Sequence, residues 1–314
     1  MNAVAMRSAL AKPLRLASLW SGHALRRAKA VRCARILMYH HISPDDVSVA
    51  QFQSQLGLLR NEFEPVSLEH LLDRLEFGSI SGDEIAVTFD DGVRNNFRVA
   101  WPLLREQKVP ATFFVCPGLV DSGAWIWRRE LRARLELLNH AERKAIARVA
   151  GCAGHGIEEL MNWTKQLPHP ARLEFQDSVA ARTQQFEPSM AQIDEFAPMT
   201  WPQLLELDPR LITIGNHTST HPILTNLSSD AAYAEIAESR AVLERRLNRR
   251  ITLFCYPNGM HDDAAMAVVR QNYRAAVTTR QAFVTPNTDL FSLPRIPAGA
   301  GLALFLRRLH RPGS

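Results

Sequence analysis

From residue 35 onward, short runs of apolar residues alternate with segments in which apolar residues recur every three or four positions. The runs at 34–39, 84–89 and 111–116 are typical of buried strands, whereas the spacing in 49–63 and 67–77 is typical of amphipathic helices. Because strands that alternate with helices form parallel βαβ units, this half of the chain predicts an α/β fold.

The same alternation continues towards the carboxyl end of the chain. Further strands are predicted at 211–215, 251–256, 275–278 and 293–296, and further helices at 228–247 and 264–272. The number of these units favours a barrel over an open sheet. No glycine-rich phosphate-binding motif follows any of the strands, which argues against a nucleotide-binding fold.

Residues 119–199 interrupt the alternation, and helices are predicted there at 125–149, 157–167 and 171–186. This helical insertion follows a strand end, near the face where α/β barrels carry their active sites. Two interpretations stay open, a lid or substrate-groove wall and plain structural packing. A similar choice, between stacking on a sugar and packing in the core, applies to four tryptophans, Trp125, Trp127, Trp163 and Trp201.

Residues 1–34 form a basic, amphipathic amino-terminal arm. The first 35 residues hold eight lysines or arginines and no acidic residue, so the net charge of +5 arises from the ends of the chain and the body is mildly acidic. Apolar residues at helical spacing in the arm suit contact with an anionic membrane surface. A solvated tail and a targeting peptide are the alternatives, and no membrane span is expected.

Composition limits which binding partners and which cellular compartment are expected. The body carries no basic stripe of the kind that binds nucleic acid, so no nucleic-acid partner is expected. Four widely spaced cysteines predict buried free thiols rather than disulfides or a cysteine zinc cluster. Free thiols and the poor match to a signal peptide favour the cytoplasm, with peripheral contact to the inner membrane left open through the arm.

Two motifs at predicted strand ends contain residues that could bind a metal ion or act in catalysis. Asp90 and Asp91 follow one strand, and because adjacent strand residues point to opposite sides, one carboxylate can bind a cation while the other faces a reacting water. His217 and His221 are four residues apart, so they share one helical face and can bind one metal ion. Two imidazoles and a carboxylate suit zinc or another borderline divalent ion.

Six motifs stand in a particular order along the chain: LMYHHIS at 37–43, TFDDG at 88–92, PATFFV at 110–115, HTSTH at 217–221, YPNG at 256–259 and LPRI at 293–296. Together they resemble the polysaccharide deacetylases, carbohydrate esterase family four, in the branch associated with bacterial exopolysaccharide, capsule and lipopolysaccharide assembly. The resemblance covers residues 35–298. It implies an α/β fold, a distorted (β/α) barrel of about seven strands over residues 35–314, with 119–199 as an α-helical insertion.

The resemblance also implies metal-dependent hydrolysis of the N-acetyl group of an amino sugar, in a surface polysaccharide, an oligosaccharide or a lipid-linked precursor. By position, Asp91, His217 and His221 would bind the metal, with Zn²⁺ favoured and Co²⁺, Ni²⁺ or Mn²⁺ as alternatives. Asp90 would act as the general base for a water molecule whose pKa the metal lowers.

The third motif and the histidine loop supply the remaining expectations from the resemblance. The backbone N–H of Tyr256 would stabilise the oxyanion, and Asn258 in the same loop would contact the substrate. Thr218 and Thr220 are predicted to hold the histidine loop in shape.

The chain departs from the family pattern in two places. The usual arginine of the third motif is missing, and Arg295 is predicted to take part of its role by pairing with Asp90. The usual late catalytic histidine is unclear, since His310 stands almost at the terminus. His40, which ends the first strand and should open onto the same face, is the better candidate for the general acid, and His41 is predicted to be structural.

Other functions remain open at this stage. One is hydrolysis of another acyl group, such as formyl, from a lipid-linked amino sugar. A second is a non-catalytic carbohydrate-binding relic, which would leave the retained Asp90 unexplained. A third is an iron oxygenase, because two histidines and a carboxylate also bind Fe(II), although that interpretation leaves the YPNG loop without a role.

Overall fold

The chain folds around one sheet of parallel strands, described over residues 22–313 by a computed structural model. The strands are β1 (Arg35–Tyr39), β2 (Glu64–Val66), β3 (Glu84–Phe89), β4 (Ala111–Val115), β5 (Ile212–Asn216), β6 (Leu253–Cys255), β7 (Ala275–Val277) and β8 (Ile296–Pro297). Their order across the sheet is β7–β6–β5–β4–β3–β1–β8. The short β2 pairs with residues 84–86 of β3, and β4 pairs with residues 87–89.

The segment after β7 brings the two ends of the sheet towards each other. Leu293 forms a parallel bridge with Val277 at the end of β7, and Ile296 pairs with Leu37 in β1. The sheet is therefore curled, and the predicted distorted (β/α) barrel is confirmed. The strand β2 was missed by the sequence analysis because three residues, one of them Pro65, are too few for a periodic signal.

Both faces of the sheet are buried. Leu37 and Phe113 contribute to the larger hydrophobic cluster on one face, and their neighbours Ile36 and Phe114 belong to a second cluster on the other face. Parallel strands covered on both faces read as continuous apolar runs rather than as alternating ones. This is why the strands were recognisable from the sequence.

Helices cover the sheet and build the insertion. They are α1 (His23–Lys29), α2 (Val49–Glu62), α3 (Leu68–Glu76), α4 (Trp101–Gln107), α5 (Pro117–Ser122), α6 (Trp127–Leu137), α7 (His140–Ala150), α8 (Ile157–Thr164), α9 (His169–Ala180), α10 (Met190–Phe196), α11 (Trp201–Glu206), α12 (Ser229–Tyr233), α13 (Ser239–Leu247), α14 (Asp263–Asn272) and α15 (Leu302–His310). Turns of π geometry at Asn96–Ala100 and Ala234–Glu238 lead into α4 and α13.

The insertion between β4 and β5 is helical, as predicted, but divided differently. The single helix predicted at 125–149 is two helices, α6 and α7, because Asn139 begins a new helix and its side chain accepts from the N–H of Glu142 at 3.0 Å. The short helices α5 and α10 were not predicted. Leu135 and Phe175 lie in a separate hydrophobic cluster that the insertion builds largely from its own helices.

The amino-terminal arm divides into two parts. Residues 1–21, which carry much of its predicted membrane-binding character, lie outside the described residues. Residues 23–29 form α1, whose Ala24 and Ala28 are buried in the main core. Arg35 donates to the carbonyl oxygen of Ala28 at 2.5 Å, so this end of the arm packs against the barrel. Within residues 22–313, no helix has both the length and the apolar character needed to cross a membrane.

Candidate active site

The carboxyl ends of β1, β3 and β5 open onto one cavity of about 230 Å³. His40 follows β1, Asp90 and Asp91 follow β3, and His217 and His221 follow β5, and all five side chains line this cavity. Loops at the carboxyl ends of parallel strands converge at one edge of the sheet, where such folds bind their ligands. The structure therefore brings together five of the side chains that the sequence analysis assigned to catalysis and metal binding.

Asp90 and Asp91 reach the same cavity because the backbone leaves the strand between them. The N–H of Asp90 still donates to the carbonyl oxygen of Tyr39 at 2.9 Å, whereas Asp91 has a left-handed backbone with φ of 75°. Gly92 is also left-handed, and a Cβ at this position would lie 3.0 Å from the backbone of Val115. The expected alternation of the two carboxylates across a strand is therefore wrong.

His217 and His221 are joined by a tight loop rather than by a helix. Thr218 and His221 both adopt left-handed backbones, with φ of 66° and 59°. The hydroxyl of Thr218 accepts from the N–H of His221 at 3.0 Å, and Glu235 accepts from the two N–H groups that follow Thr218. The shared helical face predicted from the spacing is wrong, and the loop instead brings the two ring centroids to 4.7 Å.

Asp91, His217 and His221 form a donor set that fits one metal ion. Oδ1 of Asp91 lies 3.6 Å from Nε2 of His217 and 3.7 Å from Nε2 of His221. Nδ1 of His217 is 2.7 Å from the carbonyl oxygen of Cys255, to which it donates, so Nε2 is left to present a lone pair. Such separations suit ligand atoms that each lie about 2.0–2.2 Å from a shared ion.

A second group of potential ligands, Asp90, His217 and Cys255, fits a cation poorly. Arg295 donates to both oxygens of Asp90 and to the sulfur of Cys255, at 2.6, 2.6 and 3.3 Å. A guanidinium so close to two of the three donors would repel a metal ion. The set around Asp91 is the better candidate.

Arg295 is fully buried, and every one of its N–H donors is engaged. Besides Asp90, it donates to the hydroxyl of Thr88, the sulfur of Cys255 and the carbonyl oxygen of Thr278. Burial raises the pKa of Asp90, but the Arg295 guanidinium outweighs burial and holds that pKa below its ordinary value. The predicted pairing of Arg295 with Asp90 is present in the structure.

His40 and His41 diverge after β1. The carbonyl oxygen of His40 accepts from the side chain of Asn96 at 2.6 Å, and its own side chain lines the cavity. Nε2 of His41 lies 3.0 Å from a carboxylate oxygen of Glu195, and burial together with the charge of Arg129 lowers the pKa of His41 to about 4. His41 thus links β1 to the insertion, in keeping with its predicted structural role.

His310 lies at the opposite end of the barrel. It ends α15, and the preceding carbonyl oxygen, that of Leu309, accepts from Arg35 at 2.8 Å. Arg35 begins β1, whereas the cavity lies beyond the other end of β1. His310 is therefore too distant to donate a proton in this cavity, which leaves His40 as the candidate.

The third motif differs from its expected role. The N–H of Tyr256 donates to the carbonyl oxygen of Val277 at 3.2 Å and its side chain is buried, so its predicted use as an oxyanion donor does not fit the geometry. Asn258, two residues on, lines the cavity with a left-handed backbone. Within residues 22–313, its side-chain nitrogen is buried and has no hydrogen-bond partner. The loop therefore presents Asn258, and not Tyr256, to the cavity.

The insertion supplies a wall of the cavity, as one of the two interpretations of the sequence allowed, but the sequence analysis missed the arginines in that wall. Arg128, Arg129 and Arg132, from the first turns of α6, line the same cavity as the aspartates and histidines. The run WRRELR at 127–132 is the sequence feature that could have indicated these arginines, because cations at the amino terminus of a helix are unfavourable and call for another explanation. None of the four tryptophans considered for sugar stacking is among the lining residues described for this cavity.

Comparisons with known proteins agree with this arrangement. The sequence profile described as polysaccharide deacetylase matches residues 78–194 and 182–276, more than half of the chain. A Bacillus subtilis (strain 168) protein, YxkH, provisionally named a polysaccharide deacetylase, is 24% identical over 274 residues, which cover 85% of this chain and 72% of that protein.

Solved structures show the same fold. The deacetylase PplD of Streptococcus pyogenes, in complex with acetate, superposes with a TM-score of 0.61 at 22% identity, covering 89% of this chain and 99% of that one. IcaB from Ammonifex degensii superposes with a TM-score of 0.56 at 20% identity, covering 88% and 97%. With the profile match, these findings show that the chain belongs to the polysaccharide deacetylases, carbohydrate esterase family four, which are hydrolases of the amide bond in N-acetylated sugars.

Proposed function

We propose that this protein is a metal-dependent N-deacetylase that acts on an amino sugar of a bacterial surface polysaccharide, oligosaccharide or lipid-linked precursor. One observation carries the proposal. The donor set of Asp91, His217 and His221 lies in the same cavity as Asp90, whose carboxylate Arg295 holds. A metal-binding set beside a fixed carboxylate is the arrangement that hydrolysis of an unactivated amide needs.

Asp91, His217 and His221 would hold the divalent ion. Two imidazoles and one carboxylate favour Zn²⁺, and Co²⁺, Ni²⁺ and Mn²⁺ accept the same donors. When bound, the ion supplies Lewis acidity, which polarises an acyl carbonyl and lowers the pKa of water. The hydrogen bond from His217 to the carbonyl oxygen of Cys255 holds the imidazole in the orientation that ligation requires.

Asp90 would act as the general base. Each of its oxygens accepts one hydrogen bond from Arg295, which leaves further lone pairs to accept a proton from the attacking water. Because Arg295 holds the pKa of Asp90 below its ordinary value, the group is a carboxylate at neutral pH. Arg295 is thus a positioning residue, since it acts through Asp90.

His40 would donate the proton that the departing amine requires. Of the three histidines among the described residues that line the cavity, two belong to the metal-binding set, which leaves His40 for acid catalysis. Asn258 would contact the substrate from the opposite loop, because its amide nitrogen has no partner in the described part of the chain. Both roles follow from position in the cavity.

The retained machinery favours an enzyme over a carbohydrate-binding relic. A binding protein would have no use for a nearly buried carboxylate held by a buried arginine, since burying such a pair costs desolvation energy. The same machinery would hydrolyse a formyl or another small acyl group, because the residues named above act on the amide and not on the acyl methyl.

The proposal is tested by measuring acetate release from N-acetylated glucosamine oligomers, with the metal content of the same samples. Wild-type protein loaded with Zn²⁺ should release acetate, and Asp90→Asn should lose about 10²–10⁴-fold in rate while keeping its metal. Full activity in Asp90→Asn would contradict the assigned base. Metal binding without acetate release would redirect the assay to N-formyl sugars, and failure to bind any divalent ion would overturn the proposal.

A further inference from the structure

Three arginines form a cationic wall of the cavity that also holds the Asp–His cluster, by which we mean Asp90, Asp91, His217 and His221. Arg128, Arg129 and Arg132 stand at positions i, i+1 and i+4 near the start of α6, and all three line the cavity. We refer to them as the arginine cluster. The residue roles proposed above give them no task, and a neutral N-acylated sugar brings no charge for them to bind.

The arginine cluster has more positive charge than its surroundings neutralise. Arg132 pairs with Glu158 at 2.6 Å, and that carboxylate is 68% exposed. Among residues 22–313, no carboxylate oxygen lies within 4.0 Å of the side-chain nitrogens of Arg128 or Arg129, and Nη1 of Arg128 is buried without a hydrogen-bond partner. The cavity aspartates do not supply the missing charge, since Arg295 already pairs with Asp90 and Asp91 faces the two histidines.

Electrostatic repulsion within the cluster supports the same conclusion. Burial lowers the pKa of Arg128, and the neighbouring charges of Arg132 and Arg129 lower it further. The guanidinium carbon of Arg129 lies 5.0 Å from the centre of the Phe196 ring, a cation–π contact. Within the cluster, Arg132 has an ion-pair partner, Glu158, whereas Arg128 and Arg129 are in contact with no carboxylate among the described residues.

The position on the helix increases the positive potential. Helix α6 begins at Trp127, its cap residue Ile126 makes no side-chain cap, and Ile126 also lines the cavity. The amino terminus of a helix carries partial positive charge, so arginines in its first turn are unfavourable for the helix itself. Stability of α6 does not explain their presence, whereas an anion bound in the cavity does.

We infer that the arginine cluster binds a phosphate group of the substrate, so that the acylated amino sugar reaches the Asp–His cluster as a sugar phosphate or phosphodiester. This inference rests on the proposed function. Two guanidinium groups without an ion-pair contact and a helix amino terminus match the charge of a phosphate better than that of one carboxylate, and arginine forks bind phosphate oxygens in pairs. The phosphate can belong to a soluble sugar phosphate or to a lipid-linked sugar.

Calorimetric binding separates this inference from catalysis. N-acetylglucosamine 1-phosphate and N-acetylglucosamine would be titrated into wild-type protein, into an Arg128→Gln/Arg129→Gln double variant and into Arg148→Gln. Arg148 is an exposed arginine on α7, in the same insertion, and serves as the matched control. We expect wild type and Arg148→Gln to bind the phosphate sugar at least about tenfold more tightly than the neutral sugar, and the double variant to lose this preference.

The variant His217→Ala, stripped of metal, is the control for direct binding of phosphate to a metal ion. It should still bind the phosphate sugar more tightly than the neutral sugar. Thermal unfolding checks that each variant is folded. If the double variant does not fold, Arg132→Gln takes its place and should lose a smaller part of the preference for the phosphate sugar. A dodecyl phosphodiester of the same sugar distinguishes a lipid-linked substrate from a soluble sugar phosphate. Tighter binding of this lipid-like compound indicates a lipid-linked substrate, and equal binding indicates a soluble sugar phosphate.

Equal affinity of wild type for the two sugars, or a preference that survives in the double variant, would overturn the inference. These results are independent of acetate release. Acetate from neutral oligomers without a phosphate preference would leave the proposed function standing and overturn this inference. A phosphate preference without acetate release from either sugar would leave the arginine cluster as a binding site and redirect the assay to N-formyl sugars.

Discussion

Arg295 and Asp90, which are 205 positions apart in the chain, meet as a buried, bidentate ion pair. Both N–O distances are 2.6 Å, and the two side chains are 0% and 4% exposed. The arginine comes from the segment that closes the barrel, and the aspartate from the carboxyl end of strand β3. Closure of the sheet and orientation of the proposed base therefore depend on the same contact.

Replacement of the arginine should separate its electrostatic effect from its effect on folding. In Arg295→Met, burial would act on Asp90 without the guanidinium, so the pKa of Asp90 should rise and the acid limb of the pH–rate profile should move to higher pH. Loss of one partner of a buried pair should also lower the free energy of unfolding by about 3–5 kcal/mol.

The double variant Arg295→Met/Asp90→Asn serves as its control, because it removes both charges. It should recover part of the lost stability in urea unfolding without recovering activity. An unchanged acid limb in Arg295→Met would show that Asp90 is not the group whose ionisation controls the rate.

Metal binding should depend on the histidine loop and not on histidines elsewhere. His217→Ala should lose the bound divalent ion and, with it, acetate release, because only two of the three donors remain. Elemental analysis of the purified protein measures this directly. His310→Ala, at the opposite end of the barrel, should keep both the metal and the activity. Loss of metal in that variant would contradict the assignment of the site.

His40→Gln should slow amide hydrolysis by about 10²–10⁴-fold, because the departing amine must be protonated. Hydrolysis of 4-nitrophenyl acetate should change far less, since the nitrophenolate leaves without a proton. The ratio of the two rates, measured in wild type and in the variant, isolates acid catalysis from substrate binding. Equal losses for both substrates would indicate a structural role for His40.

Glu84, at the start of β3, should make stability depend on pH. Burial raises its pKa, but hydrogen bonds from the N–H groups of Ser81 and Gly82 and from Arg74 outweigh burial and lower that pKa to about 2. Because the folded-state value lies below the unfolded value of about 4.5, Glu84 contributes roughly 3 kcal/mol above pH 4.5, and this contribution is lost as the pH falls towards 2.

The variant Glu84→Gln tests this assignment by urea unfolding at several pH values. It should be less stable than wild type at pH 7, and the difference should shrink as the pH approaches 2. A difference that does not change with pH would show that the charge of Glu84 is unimportant and that packing alone is lost.

The elements of this fold could be predicted from local patterns because burial imposes them residue by residue. The bounds of β3 were predicted without error, and those of α2 and α14 to within a residue. Strands covered on both faces leave continuous apolar runs, and helices leave a periodic stripe. The order of the short motifs was enough to indicate the family, and the order of strands was enough to place Asp90, His40 and His217 at one end of a barrel.

Other features depend on how distant segments meet, and local patterns carry no information about that. The left-handed backbone at Asp91 turns both carboxylates into one cavity, and a loop rather than a helix joins His217 to His221. The sheet hydrogen bond that occupies the N–H of Tyr256 forms only when β6 and β7 are side by side. In each case a backbone angle or a partner far along the chain determines where the group lies, and the spacing of residues in the sequence predicted a different position.

The sequence alone was sufficient for the α/β alternation, the positions of the chemically active residues and the family, because strand burial and motif order are local properties. Folding in three dimensions was needed to pair Arg295 with Asp90, to exclude His310 and to set the arginines of α6 against the Asp–His cluster. These contacts join residues far apart in the chain, and the closure of the barrel and the docking of the insertion bring them together.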